Sequence, residues 1–130
     1  MRPRATIFDS TSERELFSAI NASWEPDFKV YPHVSFANLI DLDPQVLDAA
    51  ELSYLHRTTV DFVLTSAGGQ PLLGIEFDGL GHGYSRGSRY IQVVRSKRDL
   101  NRAWKLDLKL RIANAASFPF AVLSHDEKAV

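Results

Sequence analysis

Three acids stand where the alternation of apolar residues reads as β-strand. Asp61 lies in Val60-Asp61-Phe62, and Glu76 and Asp78 lie in Gly74-Ile75-Glu76-Phe77-Asp78-Gly79. Carboxylates gathered on one face of a sheet repel each other and are costly to bury unless something neutralises them. A hard divalent cation with oxygen ligands, Mg2+ or Mn2+, would do so. Such an ion activates water and stabilises charge on a phosphoryl group. The bland alternative is that one or two of these acids face solvent on a half-exposed sheet. That account suffices for a lone strand acid, but three acids flanked by Val-x-Phe and Ile-x-Phe favour metal binding.

The elements that must carry these acids are legible in outline. Ser12, followed by Glu13 and Glu15 and then Leu16, Phe17 and Ile20, predicts an N-capped amphipathic helix to about Asn21. Phe28, Val30, Val34 and Phe36 alternate with polar residues as in a strand, and Pro32 assigns it to a sheet edge. Asp43-Pro44 is a candidate cap for a short helix through about Leu55. Two strands follow, joined as a hairpin by a turn at Gly68-Gly69. The first directs Val60, Phe62 and Leu64 one way and Asp61 the other; the second directs Leu73, Ile75 and Phe77 one way and Glu76 and Asp78 the other. Residues 79–87, with Gly79, Gly81, Gly83 and Gly87, read as a flexible loop. Ser96 starts a long helix with Leu100, Trp104, Leu108, Ile112 and Ala115 as its expected buried stripe, and Phe120–Leu123 forms a last strand beyond Pro119. A helix between the last two strands permits a crossover and a mixed sheet.

Composition agrees with one α/β domain over residues 1–130: 45% of residues are hydrophobic and 24% charged, and there is no cysteine. Disulfides, thiol nucleophiles and cysteine-ligated zinc are excluded. No apolar run is long enough to span a membrane, the first residues are basic and lack the apolar stretch expected of a secretory signal, and the expected location is the cytoplasm. The net charge of −1 hides a division: residues 1–83 hold 5 Lys/Arg and 12 Asp/Glu, whereas residues 84–111 hold 9 and 2. Arg86, Arg89, Arg95, Lys97, Arg98, Arg102 and Lys105, with Tyr84 and Tyr90 interleaved, form a candidate nucleic-acid-binding segment directly after the acids. A solvated basic helix is the alternative.

These motifs resemble the PD-(D/E)XK nuclease superfamily, and more closely its small bacterial branch related to very-short-patch-repair endonucleases. The resemblance rests on Val60-Asp61-Phe62, then Ile75-Glu76-Phe77-Asp78-Gly79 with His82, then a basic helix before a final strand. It implies a restriction endonuclease-like core of helix, three strands, helix and strand around a central mixed sheet. It further implies Asp61 and Glu76 as metal ligands, Asp78 as a third acid, His82 as a group that orients water or binds phosphate, and Glu13 as another acid offered by the first helix. The superfamily pattern places a Lys two residues after the Glu, and here that position is Asp78. Some relatives supply the Lys from the following helix, where Lys105 and Lys109 stand one turn apart and Lys109 precedes Pro119 by ten residues. Either Lys109 assists the attacking water, or both lysines are merely the wet face of the helix.

The resemblance thus implies magnesium-dependent hydrolysis of phosphodiester bonds in nucleic acid, DNA rather than RNA, in repair or defence. The alternative is an inactive module of the same fold that binds nucleic acid or a protein partner. Two strings mislead: Gly83-Tyr84-Ser85-Arg86-Gly87 fits a serine-nucleophile elbow but reads as a glycine loop, and Gly68-Gly69-Gln70 is a turn. His33, His56 and His125 read as structural or solvated, and Trp24 and Trp104 as core or boundary packing.

Overall fold

The computed structural model describes residues 1–8, 10–24, 27–78, 84–86, 89–91 and 95–124. The elements run α1 (Thr11–Trp24), β1 (Lys29–Ser35), a single 3-10 turn (Phe36–Asn38), α2 (Ala49–Arg57), β2 (Thr59–Thr65), β3 (Pro71–Asp78), β4 (Tyr84–Arg86), β5 (Arg89–Ile91), α3 (Lys97–Ala115) and β6 (Phe120–Ser124). This is an α/β fold built on a four-stranded mixed sheet in the order β1-β2-β3-β6. The β1–β2 and β2–β3 pairs are antiparallel, and β3–β6 is parallel. A parallel pair needs a crossover, which α3 provides. Pro32 lies in the edge strand β1, where its missing N–H costs no ladder bond.

Hydrophobic residues divide between the two sides of the sheet. Leu16, Phe17 and Ile20 of α1 pack with Val30, Phe62, Leu64 and Ile75. Leu55 of α2 and Leu108 of α3 pack with Phe36, Leu47, Val60 and Val63. Neighbours Phe62 and Val63 therefore face opposite layers, as the pleat demands. Val60 does not follow Phe62 and Leu64, against the simple alternation. Its partner Val34 parts from Val30 in the same way, and His33, at φ 54°, lies at this level of β1. A left-handed residue in a strand interrupts the two-residue repeat.

Other departures have local causes. α1 is capped by Ser10, whose Oγ accepts the Glu13 N–H at 3.0 Å, rather than by Ser12, and it continues to Trp24. α2 begins at Ala49 because Asp48 and Glu51 form a reciprocal capping box; Asp43 instead takes the Gln45 N–H at 2.8 Å in a turn. The expected loop over 79–87 contains a strand, for Tyr84–Arg86 pairs with Arg89–Ile91 in a short hairpin. Gly79, Gly81, Gly83 and Gly87 lie outside the described residues. The Ser96 cap of α3 stands, its Oγ accepting the Asp99 N–H. The helix buries Asp99, Leu108, Lys109 and Ala113, whereas Leu100, Trp104 and Ala115 of the expected stripe are exposed. Gly74 lies beneath Phe118 and Phe120, and a Cβ there would meet Phe120 Cδ2 at 2.9 Å. The crossover thus packs directly against β3 only because this residue has no side chain.

Candidate functional site

The antiparallel ladder between β2 and β3 runs from Thr65/Pro71 to Phe62/Ile75 and stops there. Asp61 and Glu76 are the next residues on each strand. Past that point β3 keeps its pairing only with β6, from Gly74/Phe120 to Asp78/Ser124. Where the two strands part, carboxylates serve backbone amides. Asp61 Oδ2 accepts the Phe77 N–H at 2.7 Å, and Glu76 Oε2 accepts the Asp61 N–H at 3.3 Å. Each acid is thereby held against the neighbouring strand.

Lys109 completes this arrangement from α3. Its Nζ donates to Glu76 Oε1 at 2.6 Å and to the Thr59 carbonyl at 2.8 Å. The residue is only 4% exposed, between Leu108 and the buried Ala113 one turn on. Of the two accounts of this lysine, the solvated face is overturned: its ammonium is buried against the Glu76 carboxylate. Lys105, one turn earlier, goes elsewhere and places its Nζ 5.6 Å over the Tyr54 ring of α2.

Burial, with the Asp61 charge second, raises the Glu76 pKa from 4.5 to about 7, even though Lys109 pulls the other way. Burial and the neighbouring Asp61 charge thus outweigh the pull of Lys109 on the Glu76 carboxyl. The donor set fits a hard divalent cation: two carboxylates where β2 and β3 part, and no sulfur or imidazole beside them among their described partners. Among the described residues, no three acidic or imidazole groups gather as a metal-ligand set.

The remaining expected site residues are dispersed or outside view. Asp78 ends β3 opposite Ser124, and its side chain lies outside the described set, as do His82 and His125 entirely. Glu13 is 6% exposed, and its Oε1 lies 2.6 Å from His33 Nε2, at ion-pair distance without hydrogen-bond alignment. His33 stands at the level of Asp61, between the Pro32/Phe62 and Val34/Val60 pairs. The resemblance marks Glu13 as an acid of the first helix, but nothing in the sequence marks its contact with His33. Arg95, Lys97, Arg98 and Arg102 are exposed at the start of α3. Arg86 and Arg89 face each other across the β4–β5 hairpin by register, with side chains outside the described set, as are those of Tyr84 and Tyr90. No described helix is long and apolar enough to cross a membrane.

Comparison of the chain with protein-family models, with curated proteins and with solved structures finds no match.

Proposed function

We propose that the chain is a metal-dependent nuclease that hydrolyses phosphodiester bonds in DNA on a restriction endonuclease-like core. The observation that carries this is Lys109. From 33 residues beyond Glu76, Lys109 of α3 delivers a buried ammonium onto that carboxylate at the point where β2 and β3 separate. A lysine needed only for packing or solubility has no reason to be desolvated there. The position restores the cation that Asp78 fails to supply in the strand.

Asp61 and Glu76 would hold Mg2+ or Mn2+, with Asp78 as a third acid, His82 orienting water or phosphate, and Glu13 as a further acid. When bound, the ion supplies Lewis acidity toward the phosphoryl oxygen and lowers the pKa of water. The protein's own groups do the rest. Lys109, fixed by the Thr59 carbonyl, holds the attacking water or the developing negative charge at its Nζ. Asp61 is fixed against β3 by the Phe77 N–H, which its Oδ2 accepts. Arg95, Lys97, Arg98, Arg102 and Lys105, with Arg86 and Arg89, hold the phosphates on either side.

A second reading is a module of this fold that binds nucleic acid without cutting it. It is favoured by the occupancy of the acids: Lys109 and the Asp61 amide already engage both oxygens of Glu76. Asp61→Ala separates the two. Under the nuclease reading it abolishes metal-dependent cleavage while the circular dichroism spectrum persists. Cleavage by the variant at the wild-type rate removes Asp61 from the site. Magnesium should also raise the melting temperature of the wild type at pH 8 and not that of Asp61→Ala.

A further inference from the structure

The N-terminal half of α3 exposes residues that its periodicity would bury. Trp104 is 44% exposed and Leu100, one turn earlier, 59%. Trp104 is nonetheless mounted firmly. Its ring centroid lies 5.8 Å from that of Tyr54, tilted by 54°. Tyr54 is fixed in turn by a 3.1 Å hydrogen bond that its hydroxyl accepts from Thr58, and Lys105 caps the same ring. A large indole held from one side and open on the other is a surface prepared for a flat partner.

The charge around it specifies the partner's sign. Arg95, Lys97, Arg98 and Arg102 are exposed, and the one acid between residues 95 and 106, Asp99, is buried with its carboxylate on the Arg95 amide. Lys97 and Arg98 occupy the first turn of α3, where the helix dipole disfavours cations. Stability alone argues against this placement, and an anionic ligand offsets it. At about 100° of rotation per residue, Arg98, Arg102 and Lys105 fall within roughly 40° of Lys109 around the axis. They form a line about 16 Å long that ends at the Glu76 carboxylate. The Leu100–Trp104 face begins roughly 100° to one side of Lys105.

We propose that Leu100 and Trp104 form a stacking platform for unpaired bases of a single-stranded nucleic acid whose phosphates follow Arg98, Arg102 and Lys105 toward Lys109. The proposal rests on the nucleic-acid part of the proposed function and not on cleavage. A duplex keeps its base faces stacked on one another and leaves none for an indole, so the platform selects strands or ends with unpaired bases. Phosphate contacts alone would bind both forms; the tryptophan supplies the preference.

The test is equilibrium binding of fluorescent single-stranded and duplex oligonucleotides of equal length, with a chelator present, to wild type, Trp104→Ala, Trp104→Phe and Leu100→Ser. Wild type should prefer the single strand and show quenched tryptophan emission on binding. Trp104→Ala should weaken single-strand binding by roughly 10- to 100-fold and duplex binding by less than about 2-fold. Trp104→Phe should restore most of the affinity, and an unchanged melting profile excludes unfolding. Equal affinity of wild type for both forms, or no loss in Trp104→Ala, overturns the platform and leaves the nuclease reading standing. Absence of any oligonucleotide binding, together with absence of metal-dependent cleavage, overturns both. Trp104-dependent binding to anionic lipid vesicles without oligonucleotide binding also overturns the proposal, in favour of a membrane surface.

Discussion

Glu76→Gln should stabilise the fold at alkaline pH and not at acid pH. The Glu76 side chain is only 16% exposed, and burial, together with the Asp61 charge, raises its pKa from 4.5 to about 7. An acid whose folded pKa exceeds its unfolded one contributes its full share of stability below the unfolded value. It loses that share as pH rises through the folded value. The interval between 4.5 and about 7 corresponds to about 3 kcal/mol, so wild type should lose roughly this amount at this residue between pH 4.5 and pH 8. Glutamine does not titrate and escapes the loss. It has one oxygen to serve both the Asp61 amide and Lys109, which costs about 1 kcal/mol at every pH. The pH-dependent part of the difference is therefore the quantity of interest. Urea denaturation of both proteins without metal, followed by tryptophan fluorescence across this range, measures it. A difference that stays flat within about 0.5 kcal/mol would show that Glu76 is ionised freely in the fold, and the electrostatic case for a cation would fail.

Three further outcomes follow from the packing. Gly74→Ala should destabilise by about 1–3 kcal/mol, because the new Cβ meets Phe120 and Phe118 at 2.9 and 3.0 Å; thermal melts report it. Asp48→Ala removes the capping box of α2 and should cost about 1 kcal/mol in a chemical denaturation curve. Lys109→Met should raise the Glu76 pKa further, since Lys109 lowers it more than the Asp61 amide does, and reduce cleavage by about 10²- to 10³-fold. A Lys109→Met protein that cleaves at the wild-type rate would leave the lysine a structural role only.

The acid pair was visible in the sequence because a strand's two-residue period assigns each acid a face, and a hairpin turning at Gly68-Gly69 can bring those faces together; the register shift between Leu64 and Thr65 that sets their common level was not legible. Lys109 was half visible. Its spacing to Pro119 marked it, but Arg98, Arg102, Lys105 and Lys109 repeat as a helical stripe, and such a stripe reads as solvated throughout. Only the packing of α3 on the sheet shows that the stripe passes from solvent at Arg102 to full burial at Lys109. The same packing explains Trp104 and Leu100. They keep the period of the buried face, yet the first half of the helix extends beyond what covers Leu108. The start of α2 was legible as Asp48-x-x-Glu51, a capping box that the more conspicuous Asp43-Pro44 obscured. Gly74 also carried a signal, since a glycine inside a strand marks a close approach. The left-handed backbone at His33, and its contact with Glu13, had none.

The most direct test is to incubate purified protein with single- and double-stranded DNA, with and without Mg2+ or Mn2+, beside Glu76→Ala. Metal-dependent cleavage that disappears in the variant is the result expected of an Asp61–Glu76–Lys109 nuclease centre. Retained DNA binding with no cleavage of any substrate would contradict it and leave the non-catalytic module.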